Sequence, residues 1–442
     1  MANSPSRQIA LNEIQRTMLR WNSVHPYNVV DLVEILRPVT PEQLRAAAKV
    51  VLAEMGLGIP RPNEAEIAVS FDESSDCLEV SRRSLRSEAI PALEKFLSEE
   101  LNRPLHVGRD AALRLALVES ESHRYVAMTY QHWVMDGVAA ARVLRRILAE
   151  AFGLPRESGN AAELDAPLCD RTFAHCRRGI AGLAQKTEGL RGLVTRTRAT
   201  APWQRGSSEN RVDVRVLSIP RASLDRLRRM ARHHGCTVND ALLAIIYRAI
   251  DRALPERRGS LWHRNIAICN IADLRKLAPE LQEKSGVYVG FFGTHIGALP
   301  QDDARLIDRI RQQTSRAKKL CIPLASLATF RAVPRLWPLL PTSTLSALLR
   351  RFFRYSCGLS NLRLGPEWED PKWSGVIRGY TRACPLGMML PLIFGVTARG
   401  DELSMTMTSA RGGYRRDQLD TIAKSIEELL AVGFRSGDGD VY

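Results

Sequence analysis

Apolar positions along the chain follow two rhythms, a helical one of three to four residues and a strand-like one of two. Leu11 to Trp21 has the first, and the Val- and Ile-rich run Asn28 to Leu36 reads as a strand. Thr40-Pro41-Glu42-Gln43 predicts a helix start: Thr40 caps, Pro41 takes the first helical position, and Gln43 closes a capping box. That helix, to about Met55, carries Leu44, Ala47, Val50, Val51 and Leu52 on one broad face. Another helix is expected from Ser87 to Asn102. Ala112 to Glu119 and Arg124 to Tyr130 read as strands joined by the polar turn Ser120 to His123. The second strand runs directly into Gln131-His132-Trp133-Val134-Met135-Asp136-Gly137, after which Val143, Leu144, Ile147 and Leu148 mark the buried side of a helix.

From about Arg156 to Arg211 small and charged residues replace this pattern, as in a connection between lobes that is part helical. Val212 to Ile219 then reads as a strand, and a helix from Ser223 stops at Gly235. Thr237 or Asn239 caps the next helix, which runs to Leu254. Ile266 to Asn270 is a strand followed by a turn to Pro279, Gly286 to Ile296 a Gly-punctuated β segment, and Ala304 to Leu320 a helix. Ser356 to Leu364, Leu390 to Thr397 and Ser404 to Thr408 are further strands, before a last helix from Asp417 to Phe434. Both halves thus mix strands and helices, with no short repeat. The expectation is an α/β fold (α+β, two-layer) of two similar lobes: residues 1–180, a connection at 181–211, and residues 212–442.

A length of 442 residues fits two or three domains, or one large two-lobed fold. The balance of 63 basic and 48 acidic residues gives a formal charge of +15. Such an excess attracts phosphates, acidic protein surfaces or anionic lipid; an anionic cofactor or an acidic carrier fits it at least as well as nucleic acid does, and solubility explains part of it. Nucleic acid is not expected, because the basic residues lie in scattered pairs such as Arg145-Arg146, Arg177-Arg178, Arg228-Arg229 and Arg350-Arg351. No zinc-finger spacing or aromatic RNA-binding signature accompanies them. The eight cysteines form no C-x-x-C pair, and even Cys169 and Cys176 lack metal-ligand partners, so no metal is expected. With polar first residues and no apolar leader core, this points to a reducing, cytoplasmic setting. Residues 1–7 and the tail Gly437 to Asp440 are expected to fray. Val333 to Phe353 is apolar, but Pro334, Pro338 and Pro341 interrupt it and Arg335, Arg350 and Arg351 charge it. It reads as a helix over a core or tunnel rather than a membrane span, with an interfacial helix the lesser reading.

Chemistry concentrates at His132. A neutral imidazole at a strand end can take a proton from an alcohol or amine attacking a carbonyl. Asp136 either orients it or is locked in an architectural ion pair, and Gly137 allows close approach. There is no G-x-S-x-G elbow, phosphate loop or G-x-G-x-x-G. His233-His234 sits in a basic helix end, where cations complement the helix dipole.

The chain resembles the chloramphenicol acetyltransferase-like superfamily, which includes nonribosomal-peptide condensation domains, plant alcohol acyltransferases, wax ester synthases and polyketide-associated acyltransferases. The resemblance rests on the His132 motif and on weaker segments in the family's order. These are Pro26 to Val30 with Thr40 to Leu44, Gly235-Cys236-Thr237-Val238-Asn239-Asp240-Ala241, Asn270-Ile271-Ala272-Asp273-Leu274-Arg275, and Ser360-Asn361-Leu362. It implies two lobes in a V with a central tunnel, a thioester donor at one mouth and a hydroxyl or amine acceptor at the other. By the same resemblance His132 is the base, and Asp136 is structural and salt-bridged to Arg275. Ser360 and Asn361 flank the tunnel, with Trp133 beside the base as a further substrate contact. No bound cofactor is implied. The donor is a phosphopantetheine thioester, on coenzyme A or on an acidic acyl or peptidyl carrier protein acting in trans. Arg142, Arg145 and Arg146, on the helix after the motif, are candidates to meet its phosphate or a carrier helix. Gln131 stands where condensation domains usually carry a second histidine, and the D-F-G-W-G segment of plant alcohol acyltransferases is absent. A non-catalytic carrier-binding module and a wax-ester-type or diacylglycerol-type enzyme at a membrane surface are the competing expectations; membrane contact is the less favoured.

Overall fold

Short-range caps set where the helices begin. Asn12 with Gln15, Thr40 with Gln43, and Thr237 with Asp240 each close a capping box, opening helices Glu13–Asn22, Pro41–Glu54 and Val238–Ala253. Thr237, not Asn239, is therefore the cap. Val50 falls outside the buried face of its helix and is exposed. The computed structural model describes residues 8–72, 77–85, 90–155, 179–203, 211–260, 262–277 and 281–432. The expected frayed ends, the Arg177-Arg178 pair, Cys169, Cys176 and much of the inter-lobe connection lie outside these residues.

Three sheets form among the described residues. The first lobe has a five-stranded sheet in the order Ile377–Ala383, Asn28–Ile35, Arg124–Gln131, Leu113–Glu119 and Val80–Ser84. The second lobe has six strands: Val289–Ile296, Ile266–Asp273, Cys357–Arg363, Leu392–Arg399, Glu402–Ala410 and Val212–Val216. A small sheet joins Ile9–Ala10, Ala68–Asp72 and Ile59–Pro62. Asn28–Ile35 is buried on both faces, which is why it reads as a continuous apolar run rather than an alternating one. Val29 and Val33 face the core shared with Trp133 and the helix Gly137–Ala151, while Val30 and Leu32 face Phe96, Leu97 and Val214.

Ile377–Ala383 follows the lobe boundary in sequence yet completes the first sheet, pairing antiparallel with Asn28–Ile35. The sheets therefore do not divide at residues 180 and 212. The crossing strand is also tied to the second sheet, where Ser404 Oγ donates to the Tyr380 carbonyl and Thr406 Oγ1 to the Arg382 carbonyl, both at 2.6 Å. Gly395 makes that approach feasible, since a Cβ there would lie 2.7 Å from the Arg382 carbonyl oxygen. The result is a two-lobed α/β fold with one strand exchanged across the cleft.

Candidate active site

The strand Arg124–Gln131 ends at the cleft and hands the chain to His132. The backbone N–H of His132 is held by the Tyr27 carbonyl at 3.1 Å, and its ring stacks on Tyr27 at 5.5 Å between centroids. Nδ1 lies 3.1 Å from the Met135 carbonyl. A carbonyl only accepts, so Nδ1 carries the proton and Nε2 keeps its lone pair. Burial pushes the imidazole pKa down to about 4 and the Arg382 charge adds to this, against the opposing pull of the Met135 carbonyl and Asp136. His132 is thus neutral through the physiological range, in the tautomer a base requires.

The Asp136 carboxylate makes its hydrogen bonds away from the imidazole. Its Oδ1 caps the helix Gly137–Ala151 by accepting from the Val138 and Ala139 amides at 3.1 and 3.0 Å. Arg275 donates to Oδ2 at 2.7 Å and to Oδ1 at 3.2 Å, and the Tyr288 amide donates to Oδ2 at 2.9 Å. Burial alone would raise this carboxyl; the Arg275 charge and these hydrogen bonds outweigh it and hold the pKa below its ordinary value. Arg275 is itself buried, is bonded to Lys284, Gly286 and Asp273 as well, and lies over the Tyr288 ring. The pair spans 139 residues of sequence and fastens the His132 loop to the second lobe.

Arg382, on the crossing strand, is a site residue that the sequence reading missed. It is buried, and its Nη2 donates to the Ser360 hydroxyl and carbonyl at 2.9 and 3.2 Å. The guanidinium occupies the space a side chain on Gly137 would need: a Cβ there would run into it and stand 3.7 Å from Leu362. That gives the glycine a steric role. Gly137→Ala is expected to displace Arg382 and cost about 1–3 kcal/mol of stability, as overpacking does. Chemical denaturation measures it, and an unchanged midpoint would contradict the close packing. Asp31, buried on the neighbouring strand in register with Arg382, is pushed by burial up to about 7, although Arg382 and the Tyr380 hydroxyl pull it down. No spacing in the sequence links these residues; the strand crossing alone brings them together.

His132, Asp136, Gly137, Arg275, Ser360, Asn361 and Arg382 line one chamber, whose other walls are mainly apolar and include Met18, Val29, Phe291, Phe330 and Ile393. A second chamber, bordered by Trp203 and the helix Thr342–Phe352, shares Trp21, Tyr27, Gly387 and Leu390 with it. Trp133 is a correction. It is fully buried in the core, its Nε1 donating to Gln131 Oε1 at 2.6 Å, and it lines neither chamber, whereas His132, Asp136 and Gly137 of the same stretch line the first. Gln131 is buried on the same side, so the residue before the base is a core position here. Asn361 reaches the Asn239 side chain at 3.3 Å. Of the three arginines expected to meet a phosphate, Arg146 is engaged by Glu54 at 2.5 Å and Arg142 by the Gln282 carbonyl at 2.8 Å. Arg145 is half-buried. None of the three lines either chamber.

No family model matches the sequence, and no curated protein does. Solved structures match over nearly the whole chain. The first condensation domain of the calcium-dependent antibiotic synthetase, in complex with a substrate analogue, is 15% identical, with 99% of this chain and 100% of that chain covered and a TM-score of 0.68. SgcC5 from Streptomyces globisporus is 14% identical, with 96% and 98% covered and a TM-score of 0.67. The X-domain from teicoplanin biosynthesis is 15% identical, with 100% and 98% covered and a TM-score of 0.60. At these identities the likeness establishes the fold: this chain has the two-lobed fold of condensation domains.

Proposed function

We propose that the chain is an acyltransferase, moving an acyl group from a phosphopantetheine thioester to a hydroxyl or amine. The observation that carries this reading is the free Nε2 of His132, fixed by the Nδ1 bond to Met135 in an apolar chamber. Nε2 takes the proton as the acceptor oxygen or nitrogen attacks the thioester carbon. The carbonyl electrons move to oxygen, then return as the carbon–sulfur bond breaks, and the imidazolium gives its proton to the departing thiolate. Neither a covalent acyl-enzyme nor a metal is required. Arg382 donates to the Ser360 hydroxyl oxygen and leaves the hydroxyl proton free, so the Arg382 guanidinium and the Ser360 hydroxyl are the donors available to the oxyanion. Asp136 and Arg275 keep the loop in place. The neighbours of known fold come from condensation, epimerization and X-domains, which supports a condensation-like role beside a carrier protein. Coenzyme A serves the same chemistry as donor.

The pH dependence of kcat/KM tests the base. His132 acts only when neutral, and its pKa is lowered to about 4, so activity is expected to hold down to about pH 5 and fall below that. An acid limb centred near the ordinary histidine value, about 6.5, would contradict a desolvated base. A carrier that binds without any acyl transfer would instead favour the non-catalytic module.

A further inference from the structure

Residues 309–366 contain eleven Lys and Arg and no Asp or Glu. The core of this stretch forms helices Ile322–Leu336 and Thr342–Phe352, joined by the turn Trp337–Leu339, with the helix Gly179–Thr197 packed against both. These neighbouring segments expose Leu190 (64%), Val194 (56%), Leu336, Leu339 (73%), Leu348 and Phe352 (46%). That is half of the large apolar side chains exposed among the described residues, gathered on one group of helices. Leu190 and Val194, and likewise Leu348 and Phe352, stand four residues apart and so share a helix face. Arg191, Arg335 and Arg351 are exposed beside them, and among the described residues neither Arg335 nor Arg351 is held in an ion pair.

We infer that this helical face docks on an anionic lipid surface. Projecting aliphatic and aromatic side chains bordered by arginines match a peripheral membrane site: the apolar groups sink among acyl chains while the guanidiniums meet lipid phosphates. The acid on the helix Gly179–Thr197, Glu188, is paired with Arg316 at 2.8 Å. No helix among the described residues is long and apolar enough to cross a membrane, so the contact is peripheral. The helix Thr342–Phe352 also connects this face to the interior. Thr342, Ser343, Ser346, Ala347 and Arg350 wall the second chamber, while Leu348 and Phe352 project from its other side. A lipid-resident alcohol or amine is therefore the class of acceptor this placement suits; that clause alone rests on the acyltransferase reading.

Flotation of the whole protein with phosphatidylcholine vesicles, with and without phosphatidylglycerol, tests docking without reference to turnover. Wild type and His132→Ala are expected to float equally with the anionic vesicles at low salt. Arg335→Gln with Arg351→Gln should weaken partitioning about thirtyfold, near the effect of two surface cations. Leu339→Asp with Phe352→Asp should abolish flotation while circular dichroism and turnover of a soluble substrate stay at wild-type levels. Wild type remaining unbound, or the Asp variant floating like wild type, would overturn the proposal. Loss of an acidic carrier's binding in these variants, with flotation intact, would assign the face to a protein instead.

Discussion

His132→Ala is expected to lower turnover about 10²–10⁴-fold, the usual contribution of a positioned general base, with the melting temperature unchanged. The structure gives the imidazole little else to do. Its ring makes one hydrogen bond, to the Met135 carbonyl, and stacks on Tyr27 at the chamber wall. The loop is held instead by the His132 backbone amide on Tyr27 and by the Asp136 contacts, which alanine at 132 leaves in place. Steady-state rates with a thioester and an acceptor, beside a thermal melt, separate the two effects. A large drop in Tm would make His132 a structural residue, and an unchanged rate would remove it as the base.

Asp136→Ala should do the opposite, harming stability at least as much as rate. Removing the carboxylate leaves Arg275 charged and buried at 3% exposure, a situation that costs about 3–5 kcal/mol. Loss of the helix cap adds about 0.5–2 kcal/mol. Replacing both members, Asp136→Ala with Arg275→Met, should recover much of the loss, because an apolar pair needs no compensation. Activity should not return with it, since the His132 loop loses its fastening to the second lobe. The folded-state pKa of Asp136 is depressed, so its contribution is fully present above the unfolded value of about 3.9 and is lost as pH falls through the lower folded value. The stability gap between wild type and Asp136→Ala should therefore be flat near neutrality and narrow only below about pH 4. Urea midpoints across pH check this, and a gap that closes near pH 6 would contradict it.

Much of this arrangement was legible in the chain because local rules produce it. The Thr40–Gln43 capping box, the strand running into His132 and the helix after Gly137 depend on residues a few positions apart, and they stand where the sequence places them. The Asp136–Arg275 contact was reachable only through family resemblance, since no local pattern joins residues 139 apart. The crossing strand Ile377–Ala383 was missed because Arg378, Gly379 and Arg382 break its apolar alternation; its partners in two sheets supply the burial that its sequence does not advertise. Arg382 was lost with it. The short strands Ile59–Pro62 and Val80–Ser84 escaped notice for a similar reason, being rich in Pro, Ser and Arg. Trp133 erred in the other direction: an aromatic beside a base looks like a substrate contact, but the turn after a strand end decides which neighbour faces the cleft.

The central claim is transfer of an acyl group by His132. Mass spectrometry of one acyl group, supplied in parallel as its coenzyme A ester and on a carrier protein, tests it directly. Wild type and His132→Ala would each be incubated with a mixed pool of alcohols and amines. Wild type alone is expected to move the acyl group to an acceptor, leaving free thiol, with the preferred donor separating coenzyme A from carrier. Retention of the acyl group on both donors with wild type, or equal transfer by His132→Ala, would contradict it.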